Sequence, residues 1–380
     1  MEAMKVQGAG SGRAGSARSR VGAVITAAFG VAIGAAVVCV AGCGQAGNGG
    51  AAAGSASSNG TGNPPSAVAR SEAERKVDDG MGKASYRIGF VAKSIDNPVY
   101  DAARAGAEAA AAEFGGSMGV DVEIEWRGPI VESARAQVAE VAALLTAEVD
   151  GLAVTASDPT VVVAALDRAA GTGVKVVTFD SDVETPSRLA FYGIDDRAAG
   201  AAVMEQLILA MPGGGRVAIL AGNRAATNLR ERVIGAAAAA RGVESVEIVE
   251  VYHHDETPEA AGEAMAAAHA SGAEIDGWAL MGGWPLYTDA GLAGVPDGTK
   301  IASMDPLPPA LDKLKAGRVQ ALVAQPYYRW GYESVRMLLE RLHSGMLPES
   351  EFVRADLEVV TQDNAASYRE RWNGWVGTSD

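Results

Sequence analysis

The sequence predicts an α/β protein made of two Rossmann-like lobes with parallel sheets joined by a hinge. Three observations carry this. From Tyr86 onward, short β-rich runs alternate with long alanine-rich helical patterns. Two stretches of the chain resemble each other. The residues with polar chemistry fall immediately after the strand-like runs.

The runs at 88–92, 122–126, 151–155 and 174–179 are rich in branched and aromatic residues and read as strands, with helical patterns near 99–114, 131–147 and 159–171 between them. The rhythm resumes with strands at 216–221, 247–252, 277–281, 300–304 and 320–324. Strand followed by helix, repeated, gives parallel sheets covered on both faces with right-handed crossovers. Residues 91–114 pass from a strand through a loop holding Asn97 into a helix carrying Gly106-Ala107. Residues 220–241 do the same with Asn228 and Gly235-Ala236. Two such halves place a cleft at the carboxyl ends of their strands, where open α/β sheets bind ligands.

The first 42 residues read differently. Lys5, Arg13, Arg18 and Arg20 precede an apolar or small-residue stretch from 21 to 42, the pattern of a secretory signal. Its ending, Val40-Ala41-Gly42-Cys43, resembles the lipobox of bacterial lipoproteins, which implies lipidation of Cys43. An uncleaved membrane anchor is the alternative, and either one exports everything that follows. Residues 43–82 are rich in Gly, Ala, Ser, Asn and Pro without period and read as a disordered linker.

Charge narrows the class of partner. Loss of residues 1–42 removes four basic residues and one acidic one, taking the formal charge from −15 to −18. Such a surface argues against nucleic acid and against direct adsorption to anionic lipid. The only cysteines are Cys39, inside the signal, and Cys43, so no disulfide is expected.

Candidate ligand contacts follow the strands: Lys93, Asp96, Asn97 and Tyr100, then Trp126 and Arg127, Asp158, and Asp180-Ser181-Asp182. In the second half they are Asn223, Thr227, Asn228, Arg230, Trp284, Asp305 and Gln325. Carboxylates, amides, a guanidinium and aromatic rings suit a neutral polyhydroxylated ligand, because each hydroxyl both donates and accepts and charge-assisted bonds are the strong ones. Asn97 before Pro98 has a second reading as a helix cap, and Asp180 and Asp305 as turn residues.

Lys93-Ser94-Ile95-Asp96-Asn97-Pro98-Val99-Tyr100, Phe179-Asp180-Ser181-Asp182, Leu229-Arg230-Glu231-Arg232, Ser303-Met304-Asp305 and Val323-Ala324-Gln325-Pro326 together resemble the ligand motifs of periplasmic sugar-binding proteins of the ribose-binding type, over about residues 86–370. Lys93, the Asp-Ser-Asp triplet and Trp126-Arg127-Gly128-Pro129 are similar to the rhamnose and autoinducer-2 branch. The family's ribose-binding members usually carry arginine where Ser181 stands, and Gly282-Gly283-Trp284-Pro285 departs from the Asn-Asp found at that place in them.

The resemblance implies the type I periplasmic binding protein fold, with one lobe at 86–194 plus 326–355 and the other at 195–325 plus 356–376. It implies Lys93, Asn97, Tyr100, Asp180 and Asp182 as contacts from the first lobe and Arg230, Asp305 and Gln325 from the second, to which Trp284 is added as an aromatic candidate outside the family pattern. The expected function is a monomeric, lipid-anchored solute receptor of an ABC importer in the periplasm or cell envelope, binding a monosaccharide or sugar-like ligand and partnered by a membrane permease. A sensor subunit serving a receptor kinase or chemoreceptor is the alternative.

Other chemistry finds no support in the sequence, and neither cofactor nor metal is expected. Gly213-Gly214-Gly215 precedes a strand where a phosphate loop would follow one. His253-His254-Asp255 has no spaced partner for a metal. Asp180 and Asp182 lie on one side of any substrate, whereas glycoside hydrolysis needs carboxylates flanking the bond. The chain is therefore expected not to be an enzyme.

Overall fold

The computed structural model describes residues 82–377, so the signal sequence, Cys43 and nearly all of the linker lie outside the described residues. The first half of the described chain runs β1 (Ser85–Val91), α1 (Val99–Met118), β2 (Asp121–Arg127), α2 (Ala134–Thr146), β3 (Gly151–Val154), α3 (Pro159–Gly171), β4 (Lys175–Phe179) and β5 (Phe191–Gly193). The second runs α4 (Asp196–Ala210), β6 (Gly215–Ala221), α5 (Thr227–Arg241), β7 (Val246–His253), α6 (Pro258–Ala270), β8 (Gly277–Leu280), β9 (Lys300–Met304), α7 (Pro308–Lys315) and β10 (Ala321–Ala324). The chain ends with α8 (Tyr327–Ser344), β11 (Phe352–Arg354), β12 (Glu358–Val360) and α9 (Ala365–Val376).

Two six-stranded sheets result, ordered β11-β5-β4-β3-β1-β2 and β12-β10-β9-β8-β6-β7. All neighbouring pairs are parallel except β10 with β12. The chain passes from the first sheet to the second after β5, returns after β10, and crosses again between β11 and β12. These three adjacent crossings make the hinge.

Burial on both faces explains why the central strands are continuous apolar runs. In the first lobe Phe90, Phe179 and Ile88 pack with α1 and α8 on one face, while Leu152, Leu144 and Leu166 fill the other with α2 and α3. In the second lobe one cluster contains Ile219, Leu280, Trp278 and Ile301.

The internal similarity acquires a structural meaning here. In the first lobe α1 crosses α8 with Gly106 against the Tyr328 carbonyl and Gly331 against the Ala103 carbonyl, where an added Cβ would stand 1.8 Å from each oxygen. In the second lobe α4 crosses α5 through Gly200 and Gly235 in the same way, at 1.8 and 1.9 Å from the Arg232 and Arg197 carbonyls. Each lobe thus seats one helix pair by glycine contact, and Gly106 and Gly235 are the glycines of the two similar segments.

The C-terminal helix is anchored to both cores. Tyr368 is 1% exposed in the second core and Trp372 is 4% exposed in the first, so α9 pins the two lobes together beside the hinge.

The glycine contacts yield a test by urea denaturation. Gly331→Ala places a methyl group in the Ala103 carbonyl and is expected to cost about 1–3 kcal/mol through overpacking. Gly374→Ala, in α9 with open space around it, is expected to stabilise by about 0.5–1 kcal/mol through helix propensity. Equal effects of the two substitutions would contradict the close-packed crossing.

Candidate functional site

The site lies where the carboxyl ends of the two sheets face each other. Asp180 stands one residue past β4, and Asp305 one residue past β9. Both are 5% exposed. Both hold left-handed backbone conformations, with φ of 58° and 66°. A non-glycine residue rarely adopts that region and keeps it only where its surroundings impose it. Here the backbone amides of Asp180 and Asp305 are held by the carbonyls of Tyr192 and Val323, and the sharp exit turns each carboxylate back over the end of its sheet.

Each carboxylate is ringed by neutral donors. Asp180 Oδ2 accepts from the Tyr100 hydroxyl and from Thr155 Oγ1, both at 2.9 Å, and Oδ1 accepts from Asn228 Nδ2 at 3.3 Å. Asp305 Oδ1 accepts from Tyr327 at 2.7 Å and from Gln325 Nε2 at 3.0 Å, while Oδ2 accepts from the Gly283 amide at 2.9 Å and from Tyr287 at 3.4 Å. Burial, reinforced by the adjacent carboxylate, pushes the phenols of Tyr100, Tyr287 and Tyr327 well above their usual range, so they remain donors.

Two cations complete the centre. Arg232 is 2% exposed; its Nε donates to Asp196 at 2.8 Å, and its terminal nitrogens donate to the Met281 carbonyl at 3.0 Å and to Gln325 Oε1 at 2.7 Å. Burial pushes Asp196 up to about 6, only partly offset by Arg232. Lys93 is 4% exposed and donates to Asn228 Oδ1 at 3.1 Å. Burial opposes its charge, but Glu256, Asp180 and Glu132 more than compensate and raise it.

Asn228 therefore joins the lobes directly. It leaves the start of α5 in the second lobe and bonds Lys93 and Asp180 of the first. A second bridge comes from Asn223, whose side-chain amide donates to Glu132 Oε1 at 3.1 Å and to the Ser157 carbonyl at 3.2 Å. Alongside, a cavity of about 370 Å³ opens between the loop after β4, with Asp182 and Arg188, and the start of α5, with Thr227 and Glu231.

Of the expected residues, the structure brings Lys93, Tyr100, Asp180, Asp305 and Gln325 together at this centre. Asp182 is tied to its own lobe by Thr178 at 2.5 Å and Arg188 at 2.9 Å, and reaches only the rim cavity. Asn97 is half-buried and accepts the Val99 amide at 3.3 Å, a capping bond. Trp284 packs in the second core against Gly282 and meets the His254 ring edge-on at 5.2 Å.

Arg230 requires correction: it is exposed, and Arg232 takes its place. Residues two apart on a helix point to opposite sides, so Asn228 and Arg232, four apart, share the inward face and Arg230 cannot. Asp158 caps α3 through the Thr160 amide at 2.8 Å, and Trp126 stacks on Phe90 at 4.9 Å.

Glu132, Glu256, Asp196, Thr155 and Tyr287 went unread in the sequence. For Arg232 the available signal is helical phase: the stripe Asn228, Arg232, Gly235, Ala236 runs at spacings of four, three and one along α5. Among the described residues no cluster suited to a metal ion is present, and no helix is long and apolar enough to cross a membrane.

No curated protein matches the chain by sequence. Solved structures do. An ABC transporter solute-binding protein from Burkholderia graminis, in complex with D-arabinose, is 26% identical with a TM-score of 0.68, covering 76% of this chain and 99% of its own. GanP, a glucose-galactose binding protein from Geobacillus stearothermophilus, is 24% identical with a TM-score of 0.65 over 74% and 99%. A solute-binding protein from Agrobacterium vitis with bound D-fucose is 22% identical with a TM-score of 0.68 over 75% and 98%. At these last two identities the likeness is one of fold. Residues 88–345 match the family described as periplasmic binding protein domain, and with this span, the two lobes and the site at their junction, the chain belongs to that family.

Proposed function

We propose that the chain is an extracytoplasmic solute receptor of an ABC importer that binds a monosaccharide or sugar-like ligand between its two lobes and is held to the membrane through a lipid on Cys43. The observation that carries this reading is the matched pair of buried carboxylates, Asp180 from one lobe and Asp305 from the other, each already surrounded by hydroxyl and amide donors. Hydroxyl groups of a sugar can replace those donors one for one. Carboxylates that stay hydrogen-bonded in either case avoid the cost of about 1–3 kcal/mol for each buried group left unpaired. A ligand that touches both aspartates favours the arrangement in which the lobes meet, and a permease can read that surface.

The family is one of binding proteins, and the chain is a binding protein rather than an enzyme. D-arabinose in the Burkholderia relative supports a monosaccharide ligand. The departures at Ser181 and at Gly282-Gly283-Trp284-Pro285 keep deoxyhexoses and autoinducer-2 furanoses among the candidates.

Thermal-shift measurements with pentoses, hexoses, deoxyhexoses, polyols and furanose signals test the reading. One compound class is expected to raise the melting temperature, by the equivalent of about 2.7 kcal/mol at a hundred times its Kd. Arg232→Ala should abolish the shift and Arg230→Ala should leave it intact. No shift with any compound, or loss of the shift in Arg230→Ala alone, would contradict the proposal. Lipidation is checked by metabolic labelling with a fatty-acid analogue: the wild type is expected to carry label and partition with membranes, and Cys43→Ser to lose both. Label retained in Cys43→Ser would sink the anchor assignment.

A further inference from the structure

Two glutamates meet across the lobes at the mouth of the site. Glu132 belongs to the first lobe and directly precedes Ser133, the cap of α2. Glu256 belongs to the second and directly precedes Thr257, the cap of α6. Asn223 holds both: its backbone amide donates to Glu256 Oε1 and its side-chain amide to Glu132 Oε1, each at 3.1 Å. Glu256 also lies against Gly222, where a Cβ would stand 2.6 Å from its Cγ, so no larger residue fits beneath it. The two carboxyl groups, one from each lobe, thus converge on the amides of a single residue.

Two ionised carboxylates brought to one residue repel each other, and a proton on either removes that repulsion. The charged and titratable groups facing Glu256 are Glu132, Lys93 and Tyr100 from the first lobe and Tyr287 from the second, and His254 lies beside Glu132. Lys93 is the one fixed cation in this set, and it is shared with Asp180. One lysine against three acidic groups leaves the pair short of positive charge.

We propose that Glu132 and Glu256 form a proton-linked clasp, in which bringing the lobes together takes up one proton onto the pair and separating them releases it. The proposal rests on the reading that the ligand is held by closure of the two lobes. Burial and the proximity of Glu132, only partly opposed by Lys93, push Glu256 up to about 8 in the joined lobes. In separated lobes it returns toward the ordinary carboxylate range of about 4.3. Because the raised value belongs to the joined state, closure is favoured at low pH and weakens as pH rises through that window, by at most about tenfold in the closed-to-open ratio per pH unit for one proton. Glu132 and Glu256 are positioning residues here, acting through Asn223.

The test reads lobe separation directly and needs no sugar, so its outcome is independent of whether the ligand has been identified. Spin labels at Ser117→Cys in the first lobe and Glu244→Cys in the second, both exposed, are placed in the full chain with Cys39 and Cys43 changed to serine. The population at the shorter distance is expected to fall as pH rises from 5 to 9. Glu256→Gln supplies a permanent neutral donor and should remove this dependence; Glu132→Gln should do the same, and both positions are only partly buried. A pH-independent distance in the unsubstituted pair, or the same pH dependence in both glutamine variants, would overturn the clasp.

Discussion

Housing two aspartate side chains away from water is the constraint around which this molecule is arranged. Asp180 and Asp305 are placed by the same device, a left-handed residue directly after a central strand, and each needs several donors to offset its lost hydration. Tyr100 and Thr155 meet that need in one lobe, and Tyr327, Tyr287, Gln325 and the Gly283 amide in the other. The helices that deliver Tyr100 and Tyr327, α1 and α8, are the pair locked by Gly106 and Gly331. Tight helix packing in the first lobe therefore reaches into both halves of the site, since Tyr327 leaves the first lobe to bond a carboxylate of the second.

The hinge inherits its coupling from the same network. Gln325, at the second crossing, donates to Asp305 and accepts from Arg232, which in turn holds Asp196 just past the first crossing. Two of the three crossing segments are thus connected through one chain of hydrogen bonds, and α9 straddles the cores nearby through Tyr368 and Trp372. Asp305 is thereby linked to the crossings through hydrogen bonds alone.

Much of this was legible in the sequence, for definable reasons. Strands buried on both faces leave continuous apolar runs, so β1, β3, β4, β6, β8, β9 and β10 were visible. The three-residue strands β5 and β11 are too short to show any period. The two aspartates are legible as candidates because each directly follows a strand, at the sheet end where such folds place ligand chemistry. Arg230 was chosen over Arg232 because adjacent charged residues in Leu229-Arg230-Glu231-Arg232 look alike until helical phase is applied, and Asn228 and Gly235 supply that phase. Glu132 and Glu256 had no local signal at all: each merely precedes a helix cap, and only the folding of two distant loops onto Asn223 brings them together.

The central claim, that one ligand is shared between Asp180 and Asp305, is tested most directly by a crystal structure of the chain with its tightest-binding monosaccharide. The account predicts density between the two carboxylates, with ligand hydroxyls bonded to both and to Arg232. Density against one lobe alone would contradict it, as would density in the cavity of about 470 Å³ behind the hinge, lined by Tyr328, Tyr332 and Trp375.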